Sequence, residues 1–281
     1  MPKTVLWALL LCGCVRPEPR SAEPLTPENS KLRIVLEHAE IPLELASEIR
    51  AHETDFLATL DAVSGKDIFL RMLVDKQHPI EPLKYKPQDL VELTNEGAFR
   101  VPRSRMLLRY PAAVALETMA QAARADGVTL VASSTWRSYE YQIEVYARNV
   151  KQNGQETADR ESARPGYSQH QLGLVIDFGS ITDAFAETPA GKWLTEHAGE
   201  YGWSLSFPQG YEAVTGYRWE CWHYRYVGIP LIGFIDAWFG GIQQYALRFL
   251  HEWEHYQPSA LPAGSSAALP SVSTRDAISL N

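Results

Sequence analysis

Two short passages of this chain hold the residue types needed to bind a metal ion and activate water. In Ser168-Gln169-His170-Gln171-Leu172-Gly173-Leu174-Val175-Ile176-Asp177, a histidine and an aspartate flank a glycine turn and an apolar run. Downstream, Glu220-Cys221-Trp222-His223 sets an acid one helical turn's spacing before a second histidine, within an aromatic stretch. Two imidazoles and one carboxylate suit Zn2+ and leave its fourth tetrahedral position open for water, with one carboxylate to spare for proton transfer. Side chains alternate along a strand, so a continuous strand would put His170 and Asp177 on opposite faces. A shared site therefore requires a bend, and Gly173 is the residue that can make it. Taken singly, a histidine is more often a satisfied polar group than a ligand, and an acid ending a strand is often a turn former. His38, His52, His78, His197, His251 and His255 keep that ordinary reading.

The elements that must position these residues can be read from periodicity. Leu45, Ile49, Phe56, Leu60 and Val63 recur at helical spacing until Ser64-Gly65 stops the run. Pro111 opens a second helix that carries Ala115, Met119 and Ala122 on one face and ends at Gly127. Val128, Leu130 and Ala132 alternate as a strand does, and Ser138 can cap a helix bearing Ile143, Tyr146 and Val150. A strand fits Gly173 to Phe178, a helix fits Pro189 to Tyr201, and aromatic-rich strands fit around Leu205 and from Trp222 to Val227. Helices and short strands mix without a βαβ repeat, which makes the class α+β. The apolar stretch from Ile229 to Ile242 contains Pro230 and Asp236 and is shorter than the ~20 residues of a membrane span, so it reads as buried loop and helix.

The 281 residues are 45% hydrophobic and 21% charged, within the globular range and sufficient for a sizeable core. Acidic side chains outnumber basic ones by 34 to 26, and the formal net charge of −8 argues against a general nucleic-acid binder. The opening MPKTVLWALLLCGC has one lysine before an apolar run too short to span a bilayer, and reads as an export signal. Of the three cysteines, Cys12 and Cys14 belong to that signal. Cys221 is then left without an intrachain disulfide partner, and cysteine-based zinc ligation is excluded by number. Residues 15–30 have the Pro, Glu and Ser content of a disordered tether, and 258–281 have that of a disordered tail.

The two chemical passages resemble the metal motifs of the VanY-type D-alanyl-D-alanine carboxypeptidases, whose pattern is Ser-x-His-x-x-Gly-x-x-x-Asp followed by Glu-x-x-His. Further strings similar to that family follow in the same order. They are His78-Pro79 with Tyr85-Lys86-Pro87-Gln88-Asp89-Leu90, then Ser134-Thr135-Trp136-Arg137-Ser138 with Gln142, then Arg164-Pro165-Gly166-Tyr167, Thr215-Gly216-Tyr217 and His223-Tyr224-Arg225-Tyr226-Val227-Gly228. The resemblance implies a small, mainly antiparallel sheet flanked by helices, of the Hedgehog/DD-peptidase type. It implies zinc on His170, Asp177 and His223, with Glu220 as catalytic acid/base kept off the metal. Arg137 matches an arginine that contacts substrate, and Gln142 and Ser168 match positions that line the substrate site. Trp136, Gln169, Val175 and Cys221 depart from the usual residues, and Ser206-Phe207-Pro208 lacks an arginine common in the family; none of these removes a ligand. Leu11-Cys12-Gly13-Cys14 resembles a bacterial lipobox, which would make Cys14 the lipidated mature N-terminus.

The domain reading is a signal at 1–14, a tether at 15–30, a helical extension at 31–67, a zinc peptidase unit at 68–257 and a tail at 258–281. The functional expectation is an exported, lipid-anchored envelope enzyme that uses Zn2+ to remove the terminal D-alanine from peptidoglycan stem peptides. Two relatives of that reading keep the metal chemistry and change the bond: an L,D-carboxypeptidase and a D,D-dipeptidase. A reading of another class is a non-catalytic lipoprotein that binds stem peptide, against which Glu220 argues, since binding alone needs no base.

Overall fold

The computed structural model describes residues 26–65 and 67–258, so Cys14, the signal, most of the tether and residues 259–281 lie outside the described part. The chain opens with α1 (Pro27–His38), α2 (Leu43–Ala51) and α3 (Glu53–Ser64). α1 starts inside the stretch read as tether, because Thr26 accepts a hydrogen bond from the Asn29 amide and Pro27 stands where a missing N–H costs nothing. The helix expected through Val63 is two helices that meet at His52. The break does not sacrifice the stripe, since Ile49, Phe56, Leu60 and Val63 are all buried.

A single turn, α4 (Ile68–Arg71), precedes an antiparallel ribbon of β1 (Leu90–Glu92) and β2 (Leu107–Arg109), and α5 (Tyr110–Ala125) follows. α5 buries Ala112, Leu116, Met119, Ala120 and Ala123, so Ala115 and Ala122 flank the buried face and do not define it. The strand expected from Val128 begins only at Ala132, as β3 (Ala132–Ser134). Just before it the backbone is taken by Arg100, whose N–H donates to the Leu130 carbonyl and whose carbonyl accepts from the Ala132 N–H. Ser138 caps α6 (Tyr139–Asn153) by accepting from the Tyr141 amide, yet Ile143 is exposed and Gln142 is the residue this helix buries. α7 (Gln155–Glu161), β4 (Val175–Phe178), α8 (Pro189–His197), β5 (Trp203–Leu205), α9 (Glu212–Thr215), β6 (His223–Tyr226), α10 (Ile229–Phe239) and α11 (Gln243–His255) complete the order.

Four strands form one antiparallel sheet in the order β3-β4-β6-β5, with the fully buried β4 inside it. A core of Leu116, Met119, Ile176, Phe178 and Trp203 lies between this sheet and α5. On β6, Arg225 is fully buried, and its Nη2 donates to the carbonyls of Phe69, Leu70 and Met72, which ties the α4 turn to the sheet. Among the described residues no helix is long and apolar enough to cross a membrane.

A second core joins α1–α3 to α10 and α11; of the 229–242 stretch, expected to be buried, Leu231, Phe234, Ile235, Phe239 and Ile242 enter this core while Ile229, Pro230 and Asp236 face out. Phe56 sits at its centre with no exposure, with ring centroids 5.0 Å from Phe249, 5.2 Å from Trp238 and 5.4 Å from Phe234. Removing that ring leaves a cavity among groups that cannot collapse freely. Phe56→Ala is therefore expected to lower stability by about 3–5 kcal/mol, read as a shifted urea midpoint.

Candidate metal centre

Gly173 ends a 3-10 turn, Gln169–Leu172, with φ of 71°. A side chain there is disfavoured twice, by the left-handed backbone and by Arg109 Cγ and Leu90 Cδ2, which lie 3.0 and 3.1 Å from where a Cβ would be. This is the expected bend, and it carries His170 back beside the C-terminal half of β4. The β4–β6 register then sets Asp177 directly opposite His223. Glu220 arrives through a tight turn in which the His223 amide donates to the Glu220 carbonyl and the Glu220 amide donates to the Phe207 carbonyl.

His170, Asp177 and His223 bring one ligand atom each to within 4.8 Å of the others, and all three are buried. His170 Nε2 lies 3.1 Å from Asp177 Oδ2, and His223 Nδ1 lies 3.0 Å from Asp177 Oδ1. The ring planes are nearly perpendicular, with centroids 5.0 Å apart. The outer nitrogens are differently engaged. His170 Nδ1 donates to the Thr135 carbonyl at 2.7 Å, and His223 Nε2 lies 3.3 Å from Gln169 Oε1. A proton on each outer nitrogen leaves the inner nitrogens as lone pairs, the form in which histidine binds metal. Asp177 Oδ1 is buried without a hydrogen-bond partner, and an orphaned buried carboxylate oxygen facing imidazole lone pairs is what a cation would satisfy. The donor set of two nitrogens and one oxygen is that of a catalytic zinc site.

The electrostatics point the same way. Burial pushes His170 down to about 4, with the Arg137 charge adding to it, so the ring is neutral at physiological pH. Burial alone would raise Asp177; protons carried toward it by His170 and His223 hold it well below the usual carboxylate range, and a cation takes that place when the two rings present lone pairs. Glu220 is raised well above that range, first by burial and then by the negative charge of Asp177. Its Oε2 is 3.5 Å from His223 Nδ1, beside the donor set and outside it.

A cleft of about 360 Å3 opens over these groups, and Arg137, Ser168, Arg218 and Trp222 line it. Arg137 Nη2 donates to Asp177 Oδ2 and to Ser134 Oγ, both at 2.8 Å, which holds the guanidinium at the edge of the ligand set. Ser168 lies on the cleft wall, as the sequence motif implies. Gln142 does not line the cleft. It is 1% exposed and donates to the Ala163 carbonyl at 2.7 Å, so it supports the loop behind the wall. Cys221 is buried, with its thiol 3.7 Å from the Thr182 carbonyl, and takes no part in the centre. The Thr135 carbonyl was not foreseeable from residue type, because any residue offers one. Arg218, held by Asp183 at 2.6 Å, gave no motif signal either.

Comparison with known proteins places this geometry. The family profile described as VanY, D-alanyl-D-alanine carboxypeptidase, matches residues 105–229. A provisionally named carboxypeptidase, YodJ, of Bacillus subtilis (strain 168) is 38% identical over 162 residues, 56% of this chain and 59% of that one. The solved structure of the LdcB LD-carboxypeptidase is 33% identical, covers 64% of this chain and 85% of its own, and superposes with a TM-score of 0.56. A mutant of the vancomycin resistance D,D-pentapeptidase VanY, solved in complex with Zn(II), is 28% identical, covers 64% and 98%, and gives a TM-score of 0.52. The chain spans between about half and two thirds of the length of the curated relatives it matches.

Proposed function

We propose, from the premise that this chain belongs to the VanY-type D-alanyl-D-alanine carboxypeptidase family, that it is a zinc-dependent D,D-carboxypeptidase releasing the terminal D-alanine of peptidoglycan stem peptides. One observation carries the reading: His170, Asp177 and His223 converge at the base of a cleft while Glu220 stands next to them uncommitted to the ligand set. Bound by those three residues, Zn2+ supplies a Lewis acid that polarises the scissile carbonyl and acidifies water.

The chain's own groups do the rest. Glu220 takes the proton of the attacking water at its carboxylate and returns it to the departing amine of D-alanine. Burial in the cleft wall raises its proton affinity well above that of an ordinary carboxylate, which suits a group that must both accept and donate. The outer nitrogens of His170 and His223 are engaged by the Thr135 carbonyl and the Gln169 side chain, which orients both rings and turns their other nitrogens toward Asp177. Arg137 presents a cation at the cleft edge, able to hold the substrate's terminal carboxylate or the oxyanion that forms at the carbonyl. Arg137→Ala is expected to lower kcat/KM by roughly 10²–10³-fold. A rise confined to KM assigns the guanidinium to the carboxylate, and a fall confined to kcat assigns it to the oxyanion, with zinc content measured alongside because Asp177 loses a partner.

The likeness to the LdcB LD-carboxypeptidase favours a second reading, in which the same centre cuts before the terminal D-alanine of a tetrapeptide. Mass spectrometry decides between them. Purified pentapeptide stem incubated with the protein should lose one alanine in a chelator-sensitive way, and tetrapeptide should persist. Loss from tetrapeptide alone moves the assignment to L,D chemistry, loss of a dipeptide moves it to a dipeptidase, and no loss from any stem leaves a binding role. Placement at the cell envelope, with Cys14 as the lipid anchor, is supported by the signal-like opening of the chain and by the location of the proposed substrate. Labelled palmitate on the wild-type chain, absent from Cys14→Ser, is the expected result.

A further inference from the structure

We infer that Gln169, which supplies no ligand atom, is the residue that positions His223. Its carboxamide oxygen lies 3.3 Å from His223 Nε2 and accepts from Ser206 Oγ at 2.8 Å. Ser206 Oγ accepts in turn from Gln243 Nε2 of α11 at 3.4 Å, and Gln169 Nε2 donates to the Val74 carbonyl at 3.4 Å. Gln169, Ser206 and Gln243 are 5%, 3% and 2% exposed, so solvent competes little with these bonds even though Gln169 borders the cleft.

The network fixes which way the amide faces. Turning it over would set its oxygen against the Val74 carbonyl, two acceptors with no hydrogen between them, and would deprive the Ser206 hydroxyl of its acceptor. With the oxygen toward the imidazole, Gln169 can only accept, so the proton of neutral His223 belongs on Nε2. The lone pair of Nδ1 then faces Asp177, which it approaches to 3.0 Å. Phe207 packs on the ring with centroids 4.6 Å apart and limits its rotation. His170 is held by a backbone carbonyl, whereas His223 depends on a side chain and hence on sequence. A neutral amide keeps the acceptor without adding a third carboxylate beside Asp177 and Glu220.

The inference rests on the zinc-site reading and is independent of which peptide is cut. The first test is the zinc-loaded wild-type chain labelled with 15N-histidine. With Nδ1 on the metal, the Nε2 proton should be protected from exchange with water by its bond to Gln169 Oε1, and a freely exchanging Nε2 proton would overturn the proposal. Second, zinc affinity is measured by competition with a chromophoric chelator. Gln169→Leu should bind zinc roughly 10–100-fold more weakly, and Gln169→Glu, which keeps an oxygen toward the imidazole but sets its other oxygen against the Val74 carbonyl, should bind more tightly than Gln169→Leu and no more tightly than wild type. A folded Gln169→Leu with wild-type affinity refutes the role. If that variant does not fold, the exchange of the His223 Nε2 proton in the wild-type chain still decides. None of these readouts uses substrate, so a chain that cleaves no stem peptide would defeat the functional reading and leave this one standing.

Discussion

Glu220→Gln should reduce kcat on stem pentapeptide by roughly 10²–10⁴-fold, the span over which a positioned general acid/base contributes, while zinc content stays at the wild-type value. The two halves of this result have separate causes. Glutamine fills the same volume in the turn between Phe207 and His223 and leaves both backbone bonds of that turn intact, so the β4–β6 register that gathers the ligands is undisturbed. Glu220 is outside the ligand set, so its replacement removes no metal donor. What disappears is the ability to take a proton from water and give it to the leaving amine. A variant with wild-type turnover would reject the assigned mechanism, and one that lost zinc as well would make Glu220 a ligand.

The same substitution reads the electrostatics of the site through stability. Glu220 binds its proton more tightly when folded than when unfolded, because burial raises it above its ordinary value of 4.5. Such a group contributes stability that is complete below its unfolded value and is lost as pH rises through the folded one. His170, pushed down to about 4, acts in the opposite sense between there and its unfolded value of 6.5. The difference between two chains therefore isolates Glu220 better than either curve does. In chelator-treated protein, Glu220→Gln should gain on wild type as pH rises from about 4.5 toward neutrality, measured as the gap between urea midpoints. A gap that is constant with pH would mean the buried carboxyl titrates normally.

The ligand set was legible because it depends on side-chain identity at short spacing. His170, Gly173 and Asp177 lie within one turn and one strand, and only a glycine tolerates the left-handed bend at 173 between Arg109 and Leu90. Glu220 and His223 are likewise fixed by a local turn. Legibility failed where position depends on distant partners. Gln142 carries the right type for a substrate contact, but its amide turns to the Ala163 carbonyl, a bond that requires knowing how α6 meets the 163–168 loop. The strand expected from Val128 gave way to backbone pairing with Arg100, some thirty positions earlier in the chain. The helical stripe from Leu45 to Val63 was visible, while its partner surface on α10 and α11 was not, since apolar periodicity says that a face is buried and not against what. The break at His52 carries no strong stop signal, as neither glycine nor proline stands there.

His223→Ala should lose zinc and turnover together, and it is the counterpart that gives Glu220→Gln its meaning. Two ligands, His170 and Asp177, remain on one strand-turn segment, and nothing from β6 closes the site. Zinc held at a thousand times the wild-type Kd should stabilise the wild-type chain by about 4 kcal/mol over the chelated form, since a ligand that binds only the folded state adds RT ln(1 + [L]/Kd). The alanine variant should melt at the same temperature with zinc and with chelator. Its absolute stability falls as well, because Gln169 loses the imidazole it accepts from and Phe207 loses the ring it packs on. For that reason the zinc-dependent difference, and not the melting temperature itself, is the quantity that reports on the ligand. A variant that still gained stability from zinc at the same concentration would show that the ion is held elsewhere. It would separate the cleft chemistry of Glu220 from the cluster at the base of that cleft.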